Sequence, residues 1–192
     1  MSTAPLALTP EIDDLRRQFE QLSADADALV QPLTDAQFAW QPAPGAWSIA
    51  QCIDHLNVTA RMYLPKLDEA IAAAMRRGWY GQGPFRYSRI GRWMARSQEP
   101  PARLRTKTLK IFHPPPNRSR AEIMAAFRAY QVQYIDRLRQ ANGLDLARAH
   151  VRSPAFDWLR LSLGSGFALT TAHERRHLWQ ARNVTQHADF PR

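Results

Sequence analysis

What most constrains this chain is a series of apolar residues spaced three and four apart, most of them opened by an explicit start signal. Thr9-Pro10-Glu11 supplies a capping residue, a proline at the first helical position and an acid in the first turn. Ile12, Leu15, Phe19, Leu22, Ala26 and Leu29 then share a stripe, which predicts an amphipathic helix ending near Gln31-Pro32. Thr34 and Gln37 form a capping box for a short helix, and Gln41-Pro42-Ala43-Pro44-Gly45 is a rigid turn. Ser48 and Gln51 open a second long helix with Cys52, His55, Thr59 and Met62 on one stripe. Pro65 should kink or break it, although the apolar pattern resumes at Leu67, Ile71, Ala74 and Met75 and runs to a good stop at Gly78. Ser119 and Glu122 open a third, carrying Ile123, Phe127, Tyr130, Tyr134, Ile135 and Leu138 as far as Asn142-Gly143. Residues 144–161 read as a connection without a hairpin signal. Ser162 or Ser165 starts the last helix, with Phe167, Thr170, His173, His177, Gln180 and Val184 on one face. The pattern predicts an all-α fold, a four-helix bundle, as a single domain over residues 1–192.

Composition narrows the context. Cys52 is the only cysteine, so no internal disulfide is possible, which fits a reducing cytoplasm. No apolar run reaches the length of a membrane span, and Met1 to Thr9 lacks the pattern of a secretory signal. The expectation is a cytoplasmic protein with no membrane partner. The net charge of +9 permits anionic ligands or nucleic acid without specifying either. Residues 76–118 concentrate that charge. Arg76, Arg77, Arg86, Arg89, Arg92, Arg96, Arg103, Arg105, Lys107 and Lys110 face one acid, Glu99, with Trp79, Tyr80, Phe85, Tyr87 and Trp93 interleaved. Basic residues among aromatics can bind nucleic acid. No recognised nucleic-acid motif accompanies the patch, so the reading preferred here is a long excursion that packs its aromatics on the bundle and solvates its arginines. No specific nucleic-acid partner is expected.

The chemistry is concentrated in His173-Glu174-Arg175-Arg176-His177. Two histidines four apart on a helix lie one above the other, and the string satisfies H-E-x-x-H, two metal ligands with a glutamate base. The plain alternative is a surface histidine pair beside arginines. A catalytic zinc usually takes three protein ligands. The metzincin pattern fails, because the places for its glycine and third histidine hold Gln180 and Asn183. Downstream, Asp189 lies in a frayed-looking tail and His187 is too far along the helix, so the third ligand should come from upstream. His55 is the one histidine set in an amphipathic helix outside the last element, although a lone histidine on such a face is more often a satisfied core residue. His113, before three prolines, and His150, in a connection, are not counted as ligands. If the faces of the second and fourth helices meet, His55, His173 and His177 form one site.

Pro44-Gly45-Ala46-Trp47-Ser48-Ile49-Ala50-Gln51-Cys52-Ile53-Asp54-His55-Leu56 resembles the second-helix signature of the DinB-like, YfiT-like metalloenzymes. His173 to Gln180 resembles the fourth-helix signature of the same superfamily, and the order of elements matches over nearly the whole chain. The resemblance implies a DinB-like four-helix bundle, commonly a homodimer, with a divalent ion (zinc, nickel, iron or manganese) on His55, His173 and His177. It also implies chemistry on a small-molecule substrate. Thiol-S-transfer to a small electrophile, with a low-molecular-weight thiol as cosubstrate, is the first expectation. Metal-dependent hydrolysis and a non-catalytic basic binding module are the alternatives. The connection between the second and third helices is longer than usual for the superfamily. Glu174 is expected either to take a proton from the metal-bound group or to be a solvated carboxylate offsetting its arginine neighbours. Gln51 and Gln180 lie one turn from ligands and could orient them, or simply cap and pack. Cys52 reads as a small core residue.

Overall fold

A computed structural model describes residues 7–101, 108–156 and 158–192. Arg103, Arg105 and Lys107 of the basic segment lie outside the described residues. Helix α1 (Pro10–Val30) buries Ile12, Leu15, Phe19, Leu22, Ala26 and Val30, the stripe predicted for it with Val30 in place of Leu29. Thr9 has the extended backbone of a capping residue but makes no side-chain cap; its N–H donates to Asn142 Oδ1 at 2.9 Å. Three capping boxes close as the sequence predicts, at the starts of α2 (Asp35–Ala39), α3 (Ile49–Arg76) and α5 (Arg120–Ala141). Each satisfies backbone N–H groups that the first turn of a helix leaves without partners. Gly143, just beyond α5, takes φ +84°, a conformation that glycine adopts without the usual Cβ clash.

Pro65 does not end α3, which runs unbroken through it. Proline removes one intrahelical bond at a cost of about 3 kcal/mol in a free helix. Here Pro65 and Arg61, whose carbonyl loses that bond, both lie on the exposed face. Water can reach the freed oxygen while Tyr63, Leu64, Leu67 and Ile71 hold the opposite face in the core. Burying side chains of that size contributes about 1.5–3 kcal/mol each, more than the missing bond costs.

The last helix, α6 (Leu163–Thr185), follows Ser162. Helices α1 and α3 each pack against both α5 and α6, forming the four-helix frame. Phe19 of α1 stacks on Tyr134 of α5 with centroids 4.9 Å apart, and both are fully buried. Two regions differ from the sequence reading. Residues 144–161, read as a connection with no hairpin, contain a small antiparallel pair, β1 (His150–Arg152) with β2 (Arg160–Ser162). Strands of three residues are too short to show the alternation that identifies a strand. The basic segment also holds a helix, α4 (Arg89–Gln98), capped by Ser88, and a 3₁₀ turn at Lys110–Phe112.

Helix α4 lies along α6, and the contact is close. A Cβ on Gly91 would come within 2.6 Å of Ser165 Oγ, and one on Gly164 within 2.1 Å of the Tyr87 hydroxyl. The Tyr87 hydroxyl in turn donates to Glu11 of α1. Trp79, Phe85 and Tyr87 pack on the core, as the reading of this segment expects. Tyr80 and Trp93 do not, being 67 % and 66 % exposed. No described helix is long and apolar enough to cross a membrane.

Candidate metal centre

The boundaries above bring the second-helix histidine to the last helix. Ser48 fixes where α3 begins, which sets His55 two turns in, on the face turned to α6. On α6 the four-residue spacing stacks His173 and His177. The Nε2 of His173 is 3.4 Å from His55 Nε2 and 3.2 Å from His177 Nε2. Nitrogens bound at 2.0–2.1 Å in a tetrahedral arrangement are separated by about 3.3–3.4 Å, so both spacings suit one shared ion. Among the described residues these three histidines gather their ligand atoms within 4.8 Å of one another, with no cysteine sulfur or carboxylate oxygen in the group.

The protonation pattern favours the same use. His55 Nδ1 lies 2.8 Å from the Phe112 carbonyl oxygen. A carbonyl only accepts, so Nδ1 carries the proton and Nε2 presents a lone pair to the cluster. Burial is the main cause lowering the pKa of His55. It also takes His173 down to about 3, with the charges of His55 and Arg176 adding to the effect. Burial again leads at His177, which falls well below its ordinary value, with His173, His55 and Arg176 adding. Neutral imidazole is the ligating form. His177 Nδ1 is buried without a hydrogen-bond partner. A proton on His173 Nε2 can serve only one of its two facing nitrogens well, whereas a shared cation would engage all three lone pairs at once.

Trp47, at the end of the Pro-Gly turn, walls the cluster. Its ring centroid is 5.0 Å from His55 and 5.8 Å from His177, nearly parallel to the latter. Glu174 is not solvated. It is 2 % exposed, and Oε1 accepts from Gln131 Nε2 of α5 at 3.2 Å while Oε2 has no partner. Burial pushes its pKa up to about 8, against smaller opposing effects of Gln131 and Arg175. The surface reading of this carboxylate is therefore corrected: a residue one step round from the ligand stripe falls in the interface with α5. Arg175 turns away from the site to grip Glu99 with two bonds, of 2.9 and 2.5 Å. Gln51 is occupied in the capping box of α3. Cys52 is fully buried and its thiol is pushed up to about 12 by burial, as befits a core residue. His113 is exposed near the cluster, whereas His150 and His187 bond locally elsewhere. Sequence reasoning missed Phe112 and Gln131 as site residues, because a backbone carbonyl leaves no compositional trace and a glutamine in a helix has many ordinary uses.

The DinB superfamily pattern matches residues 18–181, a span that contains all three histidines. The chain belongs to the DinB superfamily. Among solved structures it is similar to YfiT from Bacillus subtilis, described as a probable metal-dependent hydrolase with an unusual four-helix bundle topology. The two share 14 % sequence identity at a TM-score of 0.63, over 99 % of this chain and 95 % of that one. At that identity the likeness shows the fold alone. No curated protein sequence matches the chain.

Proposed function

We propose that this DinB protein is a metal-dependent enzyme in which His55, His173 and His177 hold one divalent ion, and that it hydrolyses a small electrophile such as an ester or amide. The observation that carries the reading is the donor set: three neutral imidazoles at tetrahedral spacing, with no fourth protein donor among the described residues. Structural zinc sites are closed by a fourth protein ligand, whereas catalytic ones keep a position open. Imidazole donors suit zinc, iron and nickel better than magnesium or calcium. When bound, such an ion acidifies a coordinated water or thiol toward neutrality and polarises the electrophile. The description of YfiT as a hydrolase points the same way.

The chain's own residues supply the rest. Phe112 holds the His55 ring in the ligating tautomer, and Trp47 fixes the planes of two ligand rings and keeps water from one side. Glu174 is an acid–base candidate in this reading, since a carboxyl titrating near neutrality can both take and return a proton. A second reading is thiol-S-transfer with a low-molecular-weight thiol. Helix α4, which lies along α6 and carries Arg89, Arg92 and Arg96, favours it by bringing cations of the basic segment to the last helix, where a thiol's carboxylate could meet them. Elemental analysis of untagged protein, followed by Co(II) substitution and assays against esters, amides and thiol–electrophile pairs, separates the two. The hydrolase reading expects about one ion per chain and metal-dependent hydrolysis without thiol. Turnover that appears only with thiol selects the second reading, and full activity in metal-free protein rejects both.

A further inference from the structure

We propose that Asp54 and Arg118 are positioning residues of the metal centre: their ion pair anchors a short proline strap whose other end, the Phe112 carbonyl, fixes the His55 ring. The proposal rests on the metal-binding reading above and deepens it. The strap begins at the turn beside His55. Residues 108–113 stitch this turn to itself, with the Phe112 N–H donating to the Leu109 carbonyl at 2.9 Å and the His113 N–H to the Lys110 carbonyl at 3.1 Å. His113 Nε2 lies 3.2 Å from the Thr108 carbonyl oxygen. Among the described residues, the one hydrogen bond that joins the turn to the four-helix frame runs from His55 Nδ1 to the Phe112 carbonyl, at 2.8 Å. Such a bond orients the ring only as well as its acceptor is itself held.

What holds the acceptor lies downstream. Pro114, Pro115 and Pro116 have no N–H to donate and fixed φ angles, so they form a stiff, extended spacer. Asn117 then turns the chain with φ +61°. The first polar tie after the turn is Arg118, whose Nη1 donates to Asp54 Oδ1 at 2.5 Å. Asp54 immediately precedes His55 on α3, so the strap is fastened at both ends to consecutive residues of the ligand's own helix. One step along a helix turns a side chain by about 100°. His55 therefore meets α6 while Asp54 meets the chain that leads into α5. Asn57 orients the carboxylate: its Nδ2 donates to Asp54 Oδ1 and to the Ile123 carbonyl of α5, both at 3.0 Å. The capping box at Ser119 ties the chain to α5, and the Arg118 pair ties it to α3.

Stability does not account for the pair. Asp54 is buried with its Oδ2 lacking a partner, while Arg118 is only half-buried. A carboxylate buried against one cation gives little net stability compared with an apolar replacement. What the pair does supply is a fixed landing place for the strap. With that end fixed, the stiff spacer limits how far the Phe112 carbonyl can drift from His55 Nδ1.

The test uses Arg118→Met, which removes the cation at a half-buried place the fold should tolerate. In metal-free, nitrogen-15-labelled protein above the histidine range of pH, the wild-type His55 ring should show one neutral form, protonated on Nδ1. The variant should show a mixture of the two tautomers. Its Co(II) affinity, read by competition with a chelator, should fall about tenfold, the low end of what loss of a ligand's hydrogen-bond partner costs. Arg118→Lys, which keeps a cation there, should recover part of both. Gly164→Ala, destabilised at a distance from the strap, should keep the wild-type ring signals and affinity. Wild-type ring signals and affinity in Arg118→Met overturn the proposal, and so does an equal loss of both in Gly164→Ala, which would make the effect one of stability alone. Because the ring is read without metal, failure of the metal reading shows separately, as wild type that takes up no ion although its His55 ring is held.

Discussion

The four-helix frame and the excursion between α3 and α5 are built on different principles. The frame takes its shape from periodicity: three capping boxes close where their strings stand, and most of the predicted apolar stripes are buried, with Val30 in place of Leu29 and Met75 left exposed. The excursion lays α4 along α6 and is fixed there by particular contacts, among them the close glycine approaches at Gly91 and Gly164, the Tyr87–Glu11 bond and the grip of Glu99 on Arg175. The division of labour follows. The frame brings the three histidines together, and the excursion reaches over them to set the Phe112 carbonyl against His55. A rigid frame dressed by a loosely specified segment is an arrangement in which the surroundings of a site can vary while the groups at its centre keep their geometry.

Breaking the frame's contribution should give the largest effect. His55→Ala, His173→Ala or His177→Ala should each reduce bound metal to a trace after dialysis, while His150→Ala and His187→Ala keep it, as read by elemental analysis. Full metal content in the His55 variant would mean that the meeting of α3 and α6 is not a metal site.

Next is the buried carboxyl between α5 and α6. The folded state holds the Glu174 proton from its ordinary value, 4.5, up to about 8, whereas the unfolded chain releases it near 4.5. Folding therefore binds a proton in that window, and the wild type loses stability as pH rises through it. The three histidines have depressed values and act oppositely, so the informative quantity is a difference. In metal-free protein, Glu174→Gln should gain on wild type steadily from about pH 5 to pH 8, by a few kcal/mol in all, measured by denaturant unfolding. A difference independent of pH would show that the carboxyl is not held protonated by the fold.

A smaller effect tests the seam between the two regions. In Gly164→Ala the new Cβ would lie 2.1 Å from the Tyr87 hydroxyl, so the ring must move, which disturbs its bond to Glu11. Overpacking of this kind costs about 1–3 kcal/mol. The loss should appear in thermal unfolding without loss of metal, because the ligands belong to the frame.

The legibility of the chain follows the same division. His55 was readable as a ligand candidate because a capping box fixed its helix, and His173 and His177 because their spacing is itself a geometric statement. The break that Pro65 allowed for does not occur, because the rule for a free helix ignores which face the proline occupies. Helix α4 was missed because arginine-rich decoration hides a short turn set of Gly91, Met94 and Ala95 against α6. The β1–β2 pair was missed because three residues carry almost no period. Glu174 left two alternatives open, since its direction depends on how α5 packs, a tertiary fact absent from the H-E-x-x-H string.

The smallest expected effect is the sharpest test of whether the excursion is a separate layer. Glu99 pairs with Arg175 through two bonds, and Arg175 also donates to Gln18 Oε1 at 2.9 Å, so this clamp joins α4's end to α6 and α1. The side chains are 40 % and 32 % exposed, so water and salt screen the pair. Pairs this accessible contribute about 0–1 kcal/mol. Glu99→Gln should therefore shift the global unfolding midpoint by no more than a degree or two. Locally it should matter more, because α4 turns Ile90 and Trp93 to solvent and this pair ties down its C-terminal end. Amide exchange in α4 should accelerate several-fold while α3, α5 and α6 keep their protection. Metal content should not change. If exchange accelerates equally in all four frame helices, the two regions unfold as one unit, and the contrast between a specified frame and a loosely held excursion is lost.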